Sequence, residues 1–203
     1  MKRFCLLASG VVAMVSASVV VAQPQTSTVR DNGFSYDYLQ AGYENRDWDG
    51  GWETDGIDFK LSHALDEHLF VRGGLQFFDG DVDIPSWAAP WIDDDVDGWE
   101  LSAGLGFHTP LKPGLDLVLT GDIVHVDADI DDETGFALSG GVRHETTAEL
   151  ELNGGVFVQD VGESEIGLFG GALFHATQKV DLGAELRLGG DLTQFGVFGR
   201  YNF

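Results

Sequence analysis

The sequence predicts an all-β protein, a closed antiparallel transmembrane barrel of about ten strands behind a cleaved N-terminal signal peptide. Three observations predict it. After residue 32, bulky apolar residues recur at every second position in ten successive segments, the period of a strand with one apolar and one polar face. Each segment has about the ~9–11 residues that cross a bilayer as a tilted strand. Beyond the leader, no stretch approaches the ~20 consecutive apolar residues of a membrane helix, so spanning falls to strands.

Residues 1–22 read as the leader: Lys2 and Arg3, an apolar run from Phe4 to Val21, and Val20-Val21-Ala22 as a small-residue cleavage site before Gln23. Ser16-Ala17-Ser18 is an alternative cut. A membrane anchor is the competing reading. Ser9, Gly10, Ser16 and Ser18 interrupt the run, and a polar tail follows it in place of a stop-transfer pattern. Cys5, the only cysteine, lies inside this leader, so neither disulfide nor thiol chemistry is expected of the mature chain. Residues 23–32 make a polar periplasmic lead-in, and 33–203 the barrel.

The first segment, Phe34–Glu44, sets Leu39, Ala41 and Tyr43 against Tyr38, Gln40 and Glu44. The second, Gly56–His63, sets Ile57, Phe59 and Leu61 against Asp58, Lys60 and Ser62. The third, His68–Phe78, opposes Leu69, Val71, Leu75 and Phe77 to Arg72, Gly74 and Gln76; the fourth, Gly98–His108, opposes Trp99, Leu101, Leu105 and Phe107 to Glu100, Ser102 and Gly104. In the fifth, Leu115–Val126, Leu117, Leu119 and Ile123 lie opposite Thr120 and Asp122. The sixth, Gly135–His144, separates Phe136, Leu138 and Val142 from Ser139 and Arg143. The seventh, Ala148–Gln159, separates Leu150, Leu152, Val156 and Val158 from Glu151 and Asn153. The eighth, Glu165–His175, alternates Ile166, Leu168, Ala172 and Phe174 with Gly167, Gly171 and His175. The ninth, Val180–Gly189, alternates Leu182, Leu186 and Leu188 with Asp181, Glu185 and Arg187. The tenth runs through Phe195, Val197 and Tyr201 to Phe203.

An even count leaves both chain ends on one side. Tight connections (Ala64–Glu67, Thr109–Gly114, Glu145–Thr147, Ala176–Lys179) alternate with acidic ones, of which Asn45–Asp55, Asp79–Asp97 and Asp127–Thr134 are long. Short periplasmic turns against longer outer loops is the expected asymmetry of such a barrel. Glycine pairs at Gly73-Gly74, Gly140-Gly141, Gly154-Gly155 and Gly170-Gly171 suit a curved wall around a tight interior.

Alternation alone does not say which face points outward, and a soluble lipocalin-like barrel has the same period with its apolar face inward. Charge placement separates the two. Lys60, Arg72, Arg143, Arg187 and Arg200 share the polar face with Glu44, Glu100, Asp122, Glu151 and Glu185, where opposite charges pair in a confined lumen. The apolar faces carry almost none, Asp37 being the main exception. A charge at the bilayer midplane costs ~2–4 kcal/mol, so its absence marks a lipid face.

The closing strand, ending on Phe203, resembles that of bacterial outer-membrane barrels, whose assembly machinery recognises a final aromatic residue. With Tyr36-Asp37-Tyr38-Leu39-Gln40-Ala41-Gly42-Tyr43 at the start, the pattern resembles the small outer-membrane barrels of the OmpA/OmpX-like superfamily. Within these it is most similar to a xanthomonad-type family of immune activators. The resemblance implies an outer-membrane protein also shed in vesicles, in contact with outer-membrane lipid and lipopolysaccharide, with no enzymatic activity. It supplies no catalytic residues.

Thirty-four acidic against eleven basic residues, a formal net charge of -23, exclude nucleic-acid binding by phosphate neutralisation. Cationic partners or divalent ions are the natural complements. Asp93-Asp94-Asp95-Val96-Asp97-Gly98 contains D-x-D-x-D-G, the first half of an EF-hand loop, and makes Asp93, Asp95 and Asp97 candidate ligands for weak Ca²⁺ or Mg²⁺ binding. The bidentate Glu of a full loop is replaced by Gly104, so a complete EF-hand is excluded, and a solvated, self-repelling surface is the plainer reading. No other cofactor is expected. In the longest loop, Trp87 and Trp91 between prolines suit a cap over the mouth, a headgroup anchor or a contact surface.

His63, His68, His108, His144 and His175 all fall at tight-turn ends. Only His125 lies on the outer side, near Asp122, Asp127 and Asp129, where an outer-lip hydrolase would need it. No G-x-S-x-G, H-E-x-x-H or phosphate loop is present. The sequence thus points to a monomeric, non-enzymatic structural or surface-interaction protein with acidic outer loops, the alternative being a narrow channel.

Overall fold

The computed structural model of the protein describes residues 33–49, 52–82, 95–128 and 132–203. The expected leader, the lead-in, the Trp87–Trp91 loop and Asp93 lie outside them, and Trp52, Asp81, Val82, Asp95 and Glu163 are described in backbone only. Ten strands follow one another: β1 Tyr38–Trp48, β2 Trp52–Ala64, β3 Leu69–Val82, β4 Asp95–Lys112, β5 Leu115–Ala128, β6 Asp132–Thr147, β7 Leu150–Val161, β8 Glu163–His175, β9 Val180–Leu188 and β10 Leu192–Asn202. Each pairs antiparallel with its sequence neighbour, and β1 pairs with β10 to close the barrel. Closure removes every sheet edge, the condition for a sheet to cross a membrane.

All ten expected segments are strands, with displaced ends. The first starts at Tyr38 in place of Phe34 and continues past Glu44 to Trp48, which pairs with Trp52. β4 begins at Asp95, so the second half of the acidic run is paired strand, with Asp97 opposite Asp79 and Gly98 opposite Phe78. These extensions share a cause. Above the lipid both faces of the wall meet water, the apolar/polar contrast that reveals a strand disappears, and the sequence reads as loop although the ladder continues.

The apolar face points out. Leu39, Phe59, Leu105, Leu138 and Phe195 are exposed, as are Ile123 (67%) and Ile166 (71%). An exposed apolar band on this scale marks contact with lipid. The interior is correspondingly polar: Glu44, Asp58, Ser62, Asp116, Glu151 and Asp181 are all buried. This orientation is the reverse of a lipocalin-like barrel. No helix among the described residues is long and apolar enough to cross a membrane.

In each glycine pair the second member (Gly74, Gly141, Gly155, Gly171) is the crowded one. Gly141 pairs with Gly155, and a Cβ on Gly141 would press on the Gly154 carbonyl and on the Phe169 ring. Small residues here let a lumen-facing ring lie flat on the wall.

Candidate functional site

The lumen is built in layers from the tight-turn end upward. At the bottom, Gly33–Asp37, ahead of β1, fold into the barrel mouth. The Ser62 hydroxyl donates to the Tyr36 carbonyl at 2.7 Å, and the Tyr36 hydroxyl donates to Asp116 Oδ2 at 3.0 Å. The Tyr36 ring stacks on His108 at 3.8 Å between centroids and on Phe70 at 5.0 Å. Phe34, Tyr36 and Phe70 form the one apolar cluster of buried residues among those described, packed by Ala64 and Val118. Gly106 makes room for it, since a Cβ there would occupy the space of the Phe70 ring.

Arg143 holds the plug from the other wall. Its guanidinium lies 4.9 Å from the Phe34 ring centroid and 4.8 Å from that of Tyr36, and donates to the Ser35 carbonyl at 3.2 Å. It is itself fixed by a two-point bond to Glu151, Nε to Oε1 at 2.7 Å and Nη2 to Oε2 at 2.9 Å. Fork geometry of this kind compensates the cost of burying both charges. Outside the mouth, Asp37 Oδ1 accepts from the Ala64 amide at 2.9 Å and meets His63 Nδ1 at 2.7 Å, tying the segment to the end of β2.

Above the plug, Arg200 lies over Tyr38 at 4.0 Å and donates to Gln40 Oε1 through Nε and Nη2. The next layer is a belt of charge. Arg46 bridges Glu44 (2.7 Å) and Glu100 (2.8 Å), and Lys60 Nζ lies 3.4 Å from Asp58 and 3.9 Å from Glu44. Arg72 meets Asp122 at 3.1 Å, and Arg187 meets Glu185 at 2.9 Å. Over this belt opens a vestibule of about 780 Å³, reaching residues of the loop end such as Trp48, Ala128, Glu133 and Gly162. Its walls differ in character. The β1–β4 side is charged, whereas the β5–β7 side presents Val124, Val126, Ala137, Phe157 and Val161. The lumen is therefore plugged at the turn end and hollow at the loop end.

Of the charges expected on the polar face, Lys60, Arg72, Arg143 and Arg187 do pair with Glu44, Asp122, Glu151 and Glu185. Arg200 instead meets aromatic rings and an amide. The central cation Arg46 was hidden in a stretch that reads as loop. Its signal was the continued period of two, Gln40, Gly42, Glu44, Arg46. His125 turns outward to Thr134 Oγ1 (2.8 Å) and the edge of Trp99, while Asp122 faces the lumen, so the acid–histidine pairing of an outer-lip enzyme does not form between them. Of the candidate metal ligands, Asp93 and the side chain of Asp95 lie outside the described residues, and Asp97 is exposed on the outward face. No group of three or more metal-ligating side chains occurs among the described residues.

No protein-family profile matches the chain, and no curated sequence does. Solved structures do match in fold. The β domain of the Bordetella autotransporter BrkA aligns over 82% of this chain and 98% of its own, with a TM-score of 0.54 and 11% identity. An outer-membrane channel from Pseudomonas putida F1 aligns over 84% and 96%, TM-score 0.52, 10% identity. A KdgM porin solved with disordered oligogalacturonate aligns over 82% and 99%, TM-score 0.51, 8% identity. What is shared at these identities is the fold, and together with the outward apolar band it makes this chain a ten-stranded β-barrel of the outer-membrane kind.

Proposed function

We propose that the protein is a non-enzymatic, non-conducting outer-membrane barrel that offers a blind vestibule and acidic loops to the cell exterior. The observation that carries this reading is Tyr36, lodged in the mouth between Ser62, Phe70, His108, Asp116 and Arg143. Planar-bilayer recording of the refolded mature chain tests it. Silence is the expected result, and stable conductance steps overturn it in favour of the narrow channel. That second reading is favoured by the fold likeness to a porin and a channel. His125→Ala is expected to abolish no activity.

Lipid and lipopolysaccharide surround the barrel in this reading, and the exposed Phe203 serves the assembly machinery. Deleting Phe203 is expected to lower the yield of folded barrel in the outer membrane. The finer kinship, with vesicle-shed immune activators, rests on the overall strand pattern with its Tyr36–Tyr43 start, and immunoblotting of purified vesicles tests the shedding it implies. Asp79 and Asp97 are directly opposed across the β3–β4 ladder, a like-charge pair. Divalent ions relieve such repulsion, so weak Ca²⁺ or Mg²⁺ uptake by Asp93, Asp95 and Asp97 belongs to the same proposal. Absence of calorimetric heat at millimolar Ca²⁺ rejects it.

A further inference from the structure

We propose that the plug is released by acid: protonation of His108 drives Tyr36 out of the turn-end mouth, and a barrel closed at neutral pH opens. The inference rests on the blind-barrel reading, because it concerns the segment that closes the lumen. His108, on β4, is the surface on which Tyr36 lies. The two rings stack at 3.8 Å between centroids and 16° between planes, and the imidazole is only 12% exposed. Its Nδ1 is buried and lies 3.4 Å from Asp116 Oδ2, the same oxygen that accepts the Tyr36 hydroxyl. A charge-assisted bond is shorter, about 2.7–2.9 Å. Elsewhere the chain builds such bonds: His63 Nδ1 meets Asp37 at 2.7 Å, and His175 Nδ1 meets Asp181 at 2.8 Å. His108 is thus held by stacking, as a neutral ring.

The groups packed around His108 disfavour a charge there. From β5, Asp116 attracts a proton, through an oxygen already shared with Tyr36. From β6, Arg143 repels it: the guanidinium lies 4.8 Å from the Tyr36 ring centroid, and Glu151 of β7 is engaged by it at two points. From the turn before β3, His68 stands edge-on at 6.2 Å with its Nδ1 against the His108 carbonyl, a second ring able to carry a proton. Phe70 of β3 lies at 6.2 Å on a further side. An imidazolium in this place loses water to Tyr36 and Phe70 and gains one long contact with an acid. Desolvation outweighs a contact of that quality.

With Tyr36 withdrawn, His108 meets water and takes its proton at the ordinary histidine value, about 6.5. The closed form takes that proton poorly, so protons bind the open form in preference. Falling pH therefore moves the balance toward opening, and above the ordinary value the effect vanishes. The ceiling is set by free histidine, about thirtyfold in the open-to-closed ratio between about pH 7.5 and about pH 5. The segment stays attached as it opens, because Asp37 is tied outside the mouth to the Ala64 amide and to His63.

The test is planar-bilayer recording of the refolded mature chain at about pH 7.5 and about pH 5, with thiol labelling alongside. Val118→Cys sets a thiol against the plug cluster, and Cys5, the only native cysteine, lies in the expected leader. Each labelling rate is divided by that of the unfolded chain at the same pH. The barrel is expected to be silent at neutral pH and to show openings in acid, with the corrected labelling rate rising about ten- to thirtyfold. His108→Phe keeps a ring under Tyr36 but takes no proton, and His108→Gln takes none either; both are expected to lose the acid response. Unheated gel mobility shows which variants are folded at each pH, and either one decides alone. A rise in labelling without conductance supports the release and leaves the seal to the Tyr38–Arg200–Gln40 layer. Equal conductance at both pH values overturns the blind barrel and the release together. Silence in acid with unchanged labelling, or an acid response retained in a folded His108 variant, overturns the release and leaves the blind barrel standing.

Discussion

Tyr36 and Arg143 show how single residues are made to serve in a polar interior. Arg143 reaches two rings, a carbonyl and Glu151 at once, and no shorter cation spans those partners. Replacing Glu151 with Leu leaves that guanidinium buried without its acid, and should cost about 3–5 kcal/mol in urea unfolding of the barrel in vesicles. Gly106→Ala drives a methyl group into the Phe70 ring and should cost about 1–3 kcal/mol in the same measurement. In the turn after β2, the amides of His68 and Leu69 both donate to Asp66 Oδ1 at 2.8 Å and hold its carboxyl below the ordinary range. A group depressed in the folded state stabilises above its unfolded pKa, and the effect fades as pH falls through the folded value. Hydrogen exchange of those two amides should therefore lose protection only in acid below about pH 4, and Asp66→Ala, which removes the acceptor, should lose it at neutral pH. Much at this scale was legible beforehand. Alternation put Leu138 and Ser139 on opposite faces, and the placement of charge assigned the first to lipid and the second to lumen. Who pairs with whom was not, because facing residues such as Arg46 and Glu100 lie 54 positions apart and meet only after the wall curves.

Strands, as elements, were readable wherever one face touches lipid and became unreadable above it. β1 illustrates both halves: Leu39, Ala41 and Tyr43 announce it, and Asn45–Trp48 continue it in a composition indistinguishable from a loop. The opposite error occurred at its start, where Phe34 and Tyr36 keep the strand period but point into the plug. Placing Arg at adjacent positions of β6 separates the two faces. Leu138→Arg should cost about 2–4 kcal/mol because its side chain enters the acyl region. Ser139→Arg, one residue on, faces the vestibule and should cost much less. For the plug, deletion of residues 33–37 should turn a silent barrel into one with measurable conductance, whereas Ser62→Ala, which removes one donor, should leave it closed. Retained silence after the deletion would mean that the Tyr38–Arg200–Gln40 layer seals the lumen unaided.

At the scale of the molecule, the protein is a soluble domain turned inside out, with ion pairs where a globular core has hydrocarbon and hydrocarbon where it has water. Its closed hydrogen-bond network predicts that the folded form survives in detergent and migrates differently on a gel from the boiled chain. A single, freely soluble species without detergent would refute the orientation of the wall. The site at the centre was only half visible in sequence. Most of its charges were, Arg46 apart, but the hollow above them depends on which side chains of distant strands the closed wall brings together, a relation no local pattern encodes.

The segment that closes the mouth takes its Tyr36 partners from five consecutive strands, β2 through β6. None of those partners waits for β1 to meet β10. A half-made wall can therefore curl about this tyrosine while the last four strands are still being added, as a stave is bent over a former. The leading end of the polypeptide would then act as a mandrel, setting the radius of the cylinder before its long seam is zipped.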